Sequence, residues 1–334
     1  MPGGFFVLSP LGFSVLRRLS DGELHSGEAL AEAAGVTRAR VSQLLQDAAA
    51  VGLNLERVRG RGYRLLDALP FLERDAIAAA LGPSAARLRV EVMDTIDSTS
   101  SELARRAARG DIHRHALAAE WQTAGRGRRG RNWTAIAGGS LTFSLGWRFE
   151  QGASYLAGLT LAVGLALAQA LEAAGLNGIE LKWPNDLIHG RAKLGGILVE
   201  LSGEALGPSL AIIGVGINVR LSPGMRRAIE QPVSDLVSVS GVRSLDRNAL
   251  LARILEELAG VLEAYANAGF APLRAAWQRR HALQGRPVRI RLPDGGMARG
   301  RVAGVDADGA LVLDSAGRRL RFVSGEVSLT RASR

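Results

Sequence analysis

The chain contains no cysteine and almost no lysine. The absence of cysteine excludes disulfides, a thiol nucleophile and a thiolate metal site. Of the 42 basic residues only Lys182 and Lys193 are lysine, although lysine is normally among the commonest residues. Arginine is a flat, wide fork, whereas lysine is a compact point charge on a thin stem. A narrow site around one anionic oxygen would therefore explain why lysine is kept at these two positions. The alternative is that two surface lysines have survived by chance.

Long uninterrupted apolar runs are also missing. Residues 156–176 are rich in Ala, Leu and Gly, but Gln169 and Glu172 interrupt them, which indicates a buried amphipathic helix rather than a membrane span. The N-terminus has no secretory signal pattern. We therefore expect a soluble, cytoplasmic protein without a membrane partner. The five histidines are scattered, and only His113 and His115 are close, in a stretch more typical of a loop or strand start than of a metal site.

Length and composition indicate a folded protein of two or three domains. With 334 residues, 47% hydrophobic and 22% charged, the chain can bury real cores, which excludes wholesale disorder. The net charge of +10 invites a nucleic-acid interpretation. However, residues 1–67 are close to neutral, and the excess lies mainly around residue 128 and in the last 50 residues. Net charge alone therefore does not predict DNA binding.

Residues 1–66 have the pattern of a helix-turn-helix domain with a wing. Ser9-Pro10 precedes a helix through about Leu19, Ser26 can cap a helix over 28–34, and Thr37 can cap a third over 38–51. Strand-like segments at 53–57 and 63–66 flank Arg59-Gly60-Arg61-Gly62, which suits a β-hairpin. In that geometry the third helix would face the major groove and the hairpin tip would lie near phosphates; the candidate DNA contacts are Thr37, Arg38, Arg40, Ser42, Gln43, Arg59 and Arg61. A protein-interaction or vestigial helical domain is the alternative.

The rest of the chain divides into a connector and two further domains. Residues 67–87 form the connector, which includes Pro70 and a short helix. Residues 88–283 alternate strand-like and helix-like segments, and many strands with few helices predict an α+β domain with a mixed or antiparallel sheet. Residues 284–334 contain short strands with turns at 293–296, 306–309 and 315–317, which predicts a small β-barrel.

A glycine- and arginine-rich segment occupies residues 122–133. Its glycines let the backbone approach a ligand, its arginines supply forked donors for phosphate or carboxylate, and Trp133 can stack on a base. It lacks the Gly-Lys-Ser/Thr of a P-loop and is not a dinucleotide fingerprint. By composition alone, an RGG-like RNA-binding loop or a solvated basic loop is an equal alternative.

The order of motifs along the chain resembles biotin–protein ligases. It comprises Asp97-Ser98-Thr99-Ser100, the segment 122–133, Lys182-Trp183-Pro184-Asn185-Asp186, Lys193-Leu194-Gly195-Gly196-Ile197 and Gly214-Val215-Gly216-Ile217-Asn218. The flanking domains resemble the bifunctional bacterial form, which also represses the biotin biosynthetic operon. The resemblance implies an α+β multidomain protein with an N-terminal winged helix-turn-helix, a central mixed-sheet α/β ligase domain similar to class II synthetases, and a C-terminal SH3-like β-barrel.

The activity that this resemblance implies has two steps. ATP, with Mg²⁺, activates biotin as biotinyl-5′-adenylate, and a lysine of an acceptor protein then attacks the mixed anhydride. This chain lacks the Ala-Met-Lys-Met acceptor sequence, so it should modify another protein and not itself. The acceptor that the resemblance implies is the biotin carboxyl carrier protein of acetyl-CoA carboxylase or a related carboxylase. Operator DNA and a homodimer formed on biotinyl-AMP binding are the further expected partners, and the strand near 193–201 is a candidate edge for dimer pairing.

The resemblance also assigns residues. Lys193 and Arg128 are the catalytic candidates, because two anions must meet and positive charge has to neutralise both. The biotin candidates are Ser98, Thr99, Ser100, Gln122, Arg126, Gly127, Arg128, Lys193 and Gly196. The ATP and adenylate candidates are Arg126, Arg128, Arg129, Arg131, Trp133, Lys182, Asn185 and Asn218, with Asp186 as a candidate metal ligand. Ser100 departs from the family, in which many relatives have Asn, so its assignment is weaker.

Three other functions stay open at this point. A transcription factor that only senses a ligand would release no pyrophosphate. A lipoate-type ligase on a related fold would activate lipoate instead of biotin, although the arginine-glycine segment argues against it. A biotin ligase whose N-terminal domain no longer binds DNA would also have this sequence, since that domain is nearly neutral.

Overall fold

The computed structural model describes residues 8–50, 52–66, 71–134, 137–204, 206–242 and 245–330. Val51, at the end of the third predicted helix, and Pro70, in the predicted connector, lie outside these residues. None of the helices in the described part combines the length and apolar character that a bilayer crossing requires.

The N-terminal unit consists of helices α1 (Pro10–Arg18), α2 (Gly27–Ala34) and α3 (Arg38–Ala50) and the antiparallel hairpin β1 (Leu55–Val58) and β2 (Gly62–Leu65). The predicted caps are confirmed: the Ser26 side chain accepts from the backbone N–H of Ala29, and Thr37 Oγ1 accepts from that of Arg40. Gly62 has φ +138, and a Cβ there would lie 1.9 Å from the His25 carbonyl oxygen. The hairpin can therefore approach α2 this closely only with glycine at that position.

A seven-stranded mixed sheet forms the centre of the molecule. Its strands are β3 (Arg89–Ile96), β4 (His115–Gln122), β5 (Ser140–Phe149), β6 (Glu180–Lys182), β7 (Asp186–His189), β8 (Ala192–Gly203) and β9 (Ser209–Asn218). The spatial order is β3-β4-β5-β9-β8-β7-β6; β3 and β4 run parallel, and the other pairs are antiparallel. The predicted mixed sheet is confirmed.

Helices accompany this sheet: α4 (Arg74–Leu81), α5 (Thr99–Ala107), α6 (Leu159–Ala173), α7 (Pro223–Ala228), α8 (Leu236–Ser240), α9 (Arg247–Ala268) and α10 (Arg274–Arg279). α6 is buried on nearly every side, in agreement with its apolar sequence, and packs with α9. The helix expected within residues 156–176 begins only at Leu159, because residues 153–156 form a separate 3₁₀ turn and Gly158 adopts φ +86.

The predicted edge strand at 193–201 is wrong for its first half. β8 lies between β7 and β9, and the two outermost strands are β3 and β6. β7 pairs with β8 only up to Gly196. Among the described residues, the segment from Leu198 to Gly203 therefore pairs on one side only, with β9. The exposed stretch of backbone is shorter than predicted because β7 covers β8 up to Gly196, and it remains beyond Gly196 because β7 has only four residues.

The C-terminal unit is a five-stranded antiparallel sheet. Its strands are β10 (Pro287–Arg291), β11 (Met297–Val305), β12 (Leu311–Ser315), β13 (Arg318–Phe322) and β14 (Glu326–Leu329), in the order β13-β12-β11-β10-β14. The predicted turns connect β10 through β13. The buried residues of this sheet belong to the same apolar core as the central sheet and α6. The N-terminal unit has a core of its own, which also takes in Phe71 and Ala137.

Candidate active site

A deep cleft lies on the central sheet where five parts of the chain meet. Its walls come from the start of α5, the segment 126–133, the turn 182–186, the glycines of β8 and β9, and residues 325–327 of the C-terminal sheet. It encloses about 1100 Å³ of empty space, counting its open mouth. The predicted residues that line it are Ser98, Thr99, Ser100, Gln122, Arg126, Gly127, Arg128, Arg129, Arg131, Trp133, Lys182, Asn185, Asp186, Lys193 and Gly196.

One wall of the cleft is neutral and is lined by Thr99, Ser100 and Gln122. These three residues, together with Ser144, which hydrogen-bonds to Thr99 and Ser100 without lining the cleft, are here called the hydroxyl wall. Gln122 Oε1 accepts from the Thr99 backbone N–H (2.8 Å) and from Thr99 Oγ1 (3.1 Å). Ser144 Oγ lies 2.7 Å from Thr99 Oγ1 and 2.9 Å from Ser100 Oγ. All four side chains are buried. Because its oxygen is engaged, Gln122 has its Nε2 amide left as a donor at the cleft.

Ser144 was missed from the sequence, as was Thr142. The strand Ser140-Leu141-Thr142-Phe143-Ser144 alternates polar and apolar residues, which places Ser140, Thr142 and Ser144 on one face. That alternation was the signal that could have found them. Thr142 lines the cleft, and its buried Oγ1 has no hydrogen-bond partner among the described residues.

Two glycines of β9, Gly214 and Gly216, form the floor of the cleft, and side chains of other residues lie directly against their backbone. A Cβ on Gly214 would lie 2.6 Å from Ser100 Oγ, and one on Gly216 would lie 2.3 Å from the indole of Trp133. Real Cβ atoms do not approach heavy atoms this closely, so both positions require glycine. Trp133 thus rests directly on the backbone of β9, inside the cleft.

The second wall is the arginine loop, defined as residues 125–133. Gly127 N–H donates to the Arg131 carbonyl (2.7 Å) and Trp133 N–H donates to the Gly125 carbonyl (2.9 Å), so the loop folds back on itself. Arg129 lies at its tip with φ 58, the left-handed region that most residues avoid. The loop is therefore a shaped turn and not an extended basic tail.

The arginines of this loop are held by partners from other elements. Arg126 pairs with Glu200 of β8, and Arg131 with Glu326 of β14, at 2.6 Å. Arg128 is the most enclosed of the loop's arginines, and its Nη1 donates to Asn185 Oδ1 (3.0 Å). Burial lowers the pKa of the Arg128 guanidinium, and the neighbouring arginine adds to this shift.

Glu326 is a cleft residue that sequence reasoning missed. It comes from the C-terminal sheet and lines the cleft between Gly325 and Val327. The hydrogen bond from Arg131 holds the pKa of the Glu326 carboxyl below its usual range. No local motif marked it, because it reaches the cleft only through the packing of two distant sheets.

The two lysines of the chain meet at one carboxylate. Lys193 Nζ lies 2.6 Å from Asp186 Oδ1, and Lys182 Nζ lies 4.0 Å from Asp186 Oδ2. All three residues line the cleft, so two ammonium groups share one negative charge there. The Lys193 backbone is held on its outer side, since its N–H donates to the Pro232 carbonyl (2.9 Å).

The metal assignment of Asp186 stays a prediction. The carboxylate is already engaged by Lys193, and the described residues contain no group of three or more His, Cys, Asp or Glu arranged to hold a metal ion. Mg²⁺ is commonly bound by one or two carboxylates together with substrate phosphates. The donor set here suits an ion carried in by phosphate, not one held by the protein alone.

Asn218 is the predicted cleft residue that the structure places elsewhere. It is buried at the end of β9, where its Nδ2 donates to the Ser234 carbonyl (3.1 Å), and it does not line the cleft. Asn185 does line the cleft; its Nδ2 donates to the Ile197 carbonyl (2.9 Å). Both side chains therefore also position backbone.

The predicted DNA contacts lie on the N-terminal unit, away from the cleft. Arg38, Arg40 and Gln43 are exposed on α3, Ser42 is partly exposed, and Thr37 is the cap of that helix. Arg59 and Arg61 are exposed at the hairpin turn. The two groups are thus available to solvent, as a DNA contact requires.

Comparison with known proteins gives matches over nearly the whole chain. Residues 96–218 match the Biotin/lipoate A/B protein ligase family, and residues 284–330 match the Biotin protein ligase C terminal domain. The Bifunctional ligase/repressor BirA of Salmonella typhimurium is 36% identical over 96% of this chain and 97% of its own length, and that of Escherichia coli is 36% identical over 95% and 96%. The Biotin--[acetyl-CoA-carboxylase] ligase of Mycobacterium tuberculosis is 34% identical over 77% and 95%.

A solved structure is similar in fold. The biotin protein ligase from Aquifex aeolicus, in complex with biotin and ATP, superposes with a TM-score of 0.62 at 26% identity, covering 73% of this chain and 99% of that chain. The cleft is thus built on the sheet of a biotin protein ligase fold, and the full-length relatives share both the central and the flanking regions. The chain belongs to the biotin protein ligase family.

Proposed function

We propose that the cleft joins biotin to ATP and that the chain is a biotin–protein ligase which also acts as a repressor. The observation that carries the proposal is the meeting of a neutral hydroxyl wall, two lysines and four arginines in one cleft. Full-length relatives are named bifunctional ligase/repressor, and a solved relative holds biotin and ATP. A biotin-accepting carboxylase, as in the acetyl-CoA carboxylase named for another relative, is the partner that receives the product.

The hydroxyl wall binds the ureido ring of biotin. That ring offers one strong acceptor and two N–H donors, and hydroxyls with a free amide supply both kinds of partner. Gln122 Nε2 and the hydroxyls of Thr99 and Ser98 face this ring in the proposal. Ser98 and Thr99 are each about 2% exposed, so any group that replaces water there must satisfy them.

The charged side of the cleft carries the first reaction step. A carboxylate oxygen of biotin attacks the α-phosphorus of ATP, the bond from that phosphorus to the bridging oxygen breaks, and pyrophosphate leaves. Lys193 and Arg128 neutralise the two anions as they approach, and Lys182 holds phosphate oxygens. Mg²⁺, when bound to ATP, supplies further charge neutralisation on the leaving group. Trp133 covers the adenine, and Arg126, Arg129 and Arg131 enclose the phosphate.

The second step transfers the acyl group. The ε-amine of a lysine on the acceptor attacks the carbonyl carbon of the anhydride, an amide bond forms, and AMP leaves with the electron pair of the broken C–O bond. The arginine loop shields the anhydride from water until the acceptor arrives.

Pyrophosphate release tests the enzyme. We expect release from ATP and Mg²⁺ with biotin, little with lipoate, and a loss of about 10²–10³-fold in Lys193→Ala, because a charge aimed at the reaction centre is removed. Lys193→Arg should keep only part of the wild-type rate of pyrophosphate release, because the wide, planar guanidinium group cannot take the place of a compact ammonium group in a crowded site. Arg191→Ala, an exposed neighbour outside the cleft, is the control. Pyrophosphate release with lipoate instead of biotin would favour the lipoate-type ligase. No release with either acid would contradict the proposed enzymatic activity.

The repressor function places DNA on the N-terminal unit, which we infer to be a winged helix-turn-helix, with a C-terminal SH3-like unit at the other end of the chain. α3 presents Arg38 and Arg40 to the major groove, and the hairpin turn presents Arg59 and Arg61 to phosphates. Replacing Arg59 and Arg61 by Ala should weaken operator binding and lower the salt slope by about one per lost phosphate contact. Arg18→Ala, exposed on α1, is the control. Unchanged binding and slope would contradict the assignment of Arg59 and Arg61, and no operator binding by the wild type would favour a ligase whose N-terminal unit has lost DNA binding.

A homodimer formed on adenylate binding fits the free backbone edge of β8. Leu198–Gly203 offers unpaired N–H and C=O groups to the same segment of a second copy. Sedimentation with and without biotinyl-adenylate tests this, and replacing Leu201, which is 41% exposed, by a charged residue or by proline should keep the chain monomeric. An unchanged association state on adding adenylate would contradict the proposal.

A further inference from the structure

The outward face of the C-terminal sheet carries a cluster of arginines, here called the arginine face: Arg289, Arg291, Arg299 and Arg301. β10 alternates strictly, with Val288 and Ile290 fully buried and its two arginines exposed. In the register between β10 and β11, Arg289 stands directly opposite Arg299. Residues opposite each other across a ladder share a face, so all four guanidinium groups point to the same side of the sheet.

Two carboxylates stand opposite these arginines in the strand register, Asp314 opposite Arg301 and Glu326 opposite Arg291. Each is paired with another arginine instead, Asp314 with Arg319 and Glu326 with Arg131. Arg289 Nε donates to Ser328 Oγ (3.0 Å), and Arg301 Nη1 donates to the Gly285 carbonyl (2.6 Å), but none of the four arginines is in an ion pair with a described residue. Like charges directly opposite each other on a sheet destabilise it. The charges of the opposed pair Arg289 and Arg299 therefore do not stabilise the sheet.

Several arginines elsewhere in the molecule are in ion pairs. Arg114 pairs with Glu263 at 2.7 Å, and Arg280 pairs with Glu172 at 2.6 Å. Even within the C-terminal sheet, Arg321 pairs with Asp306. What distinguishes the arginine face is that four exposed arginines without an ion pair among the described residues share one side of a sheet.

The arginine face extends to the rim of the cleft. Arg291 stands directly opposite Glu326 in the register between β10 and β14. Glu326 lines the cleft and binds Arg131 of the arginine loop. A macromolecule that presents a group to this rim must therefore lie against or beside the arginine face.

We propose that the arginine face is the docking surface for the acceptor protein, whose matching surface carries clustered Asp and Glu side chains. The inference rests on the proposed function, because only the transfer step requires a second protein at the cleft. Complementary charge of this kind raises the rate of encounter and fixes the orientation of the partner. Nucleic acid is the less favoured occupant, because the face has no aromatic side chain for base stacking and the proposed DNA contacts lie on the N-terminal unit.

The test measures acceptor docking and the reaction steps at the cleft separately in the same variant. The double variant Arg289→Gln/Arg299→Gln is assayed for biotin-dependent pyrophosphate release, for transfer of biotin to the apo carrier domain of acetyl-CoA carboxylase, and for transfer to hydroxylamine. We expect the KM for the carrier domain to rise about tenfold at low salt and the difference to shrink at high salt. Pyrophosphate release and transfer to hydroxylamine should not change, because neither needs docking.

The control is Arg253→Gln/Arg279→Gln, which removes the same charge from exposed positions on α9 and α10. An equal rise in KM in the control would overturn the proposal, since long-range charge alone would then explain the effect. An unchanged KM in the double variant would also overturn it, and so would a loss that appears in operator binding in place of transfer. If the wild type released no pyrophosphate with biotin, the proposed function itself would fail, and that failure is visible before any acceptor is added.

Discussion

The hydroxyl wall contains no charge and is completed by its own hydrogen bonds, whereas the arginine loop is highly charged and depends on carboxylates from elsewhere. In the wall, Gln122, Thr99 and Ser144 satisfy one another without any ligand. In the loop, Arg126 relies on Glu200 and Arg131 relies on Glu326. The wall is thus preorganised, while the loop must exchange these partners for a substrate anion.

The difference suits two kinds of recognition. A neutral ring gives little energy per contact, so its site must already be shaped when it arrives, because ordering the site would cost affinity. Phosphate supplies strong charge-assisted hydrogen bonds and can offset the rearrangement of a loop. An exposed ion pair contributes only about 0–1 kcal/mol of stabilisation. These pairs therefore keep the loop in place without preventing its rearrangement.

The largest expected loss of activity comes from disrupting the contact between the arginine loop and the hydroxyl wall. A Cβ on Gly125 would lie 2.4 Å from the Trp133 carbonyl oxygen and 2.9 Å from Gln122 Nε2. Gly125→Ala should therefore displace both the loop and the wall, and biotin-dependent pyrophosphate release should fall by about 10²-fold or more, because misplacement by an ångström costs that much. Isothermal titration with biotin checks the wall separately.

The matched control for Gly125→Ala is Gly130→Ala. Gly130 has φ +70, but a Cβ there would meet nothing within 4 Å. Backbone strain alone costs about 1–2 kcal/mol. Equal losses of activity in both variants would show that strain in the loop, and not the contact with the wall, is what matters.

The next effect tests whether the wall is preorganised. Ser144→Ala leaves the hydroxyl of Ser100 without its partner in a buried place. Unfolding free energy should fall by about 1–3 kcal/mol, and biotin should bind more weakly while the KM for ATP stays unchanged. Thermal denaturation and biotin titration measure these. Ser101→Ala, at a partly exposed position, is the control, and a change in the KM for ATP would contradict the separation of the two regions.

Much of the charged side was predictable from the sequence, because its residues form contiguous motifs. The segment 122–133 and the run from Lys182 to Asp186 both line the cleft as expected. The sparing use of lysine was also informative, since both lysines meet at Asp186. Local patterns sufficed wherever consecutive residues share one function.

Other parts were not predictable because they depend on pairing between distant segments. Ser144 contacts Thr99 and Ser100 only through the register of β5, and Glu326 reaches the cleft only through the packing of the C-terminal sheet. Asn218 follows a glycine-rich motif, yet it ends a strand and faces Ser234. The edge of β8 depends on the length of β7, which short apolar runs do not specify.

A smaller effect tests how weakly the loop is held. Arg131→Ala removes the pair with Glu326, in which both side chains are more than one third exposed. The unfolding free energy should change by less than about 1 kcal/mol, whereas preformed biotinyl-adenylate should dissociate a few times faster, because the loop opens more often. Stopped-flow release of the adenylate measures this rate. The control is Arg148→Ala, which removes an exposed pair with Asp111 outside the cleft, and a large loss of stability would mean that the loop is locked.

The smallest effect concerns pH, to which the uncharged wall should be indifferent. The hydrogen bond from Arg131 holds the pKa of the Glu326 carboxyl below the ordinary glutamate value of about 4.5. The pair therefore contributes fully above pH 4.5 and is lost as the pH falls through the lowered pKa. Amide hydrogen exchange, corrected for its intrinsic pH dependence, should accelerate in residues 126–133 over that range and stay constant at the start of α5. In Glu326→Gln, the loop should exchange fast already at pH 7. If exchange accelerated equally in the loop and at the start of α5, the loop would not depend on this ion pair more than the wall does.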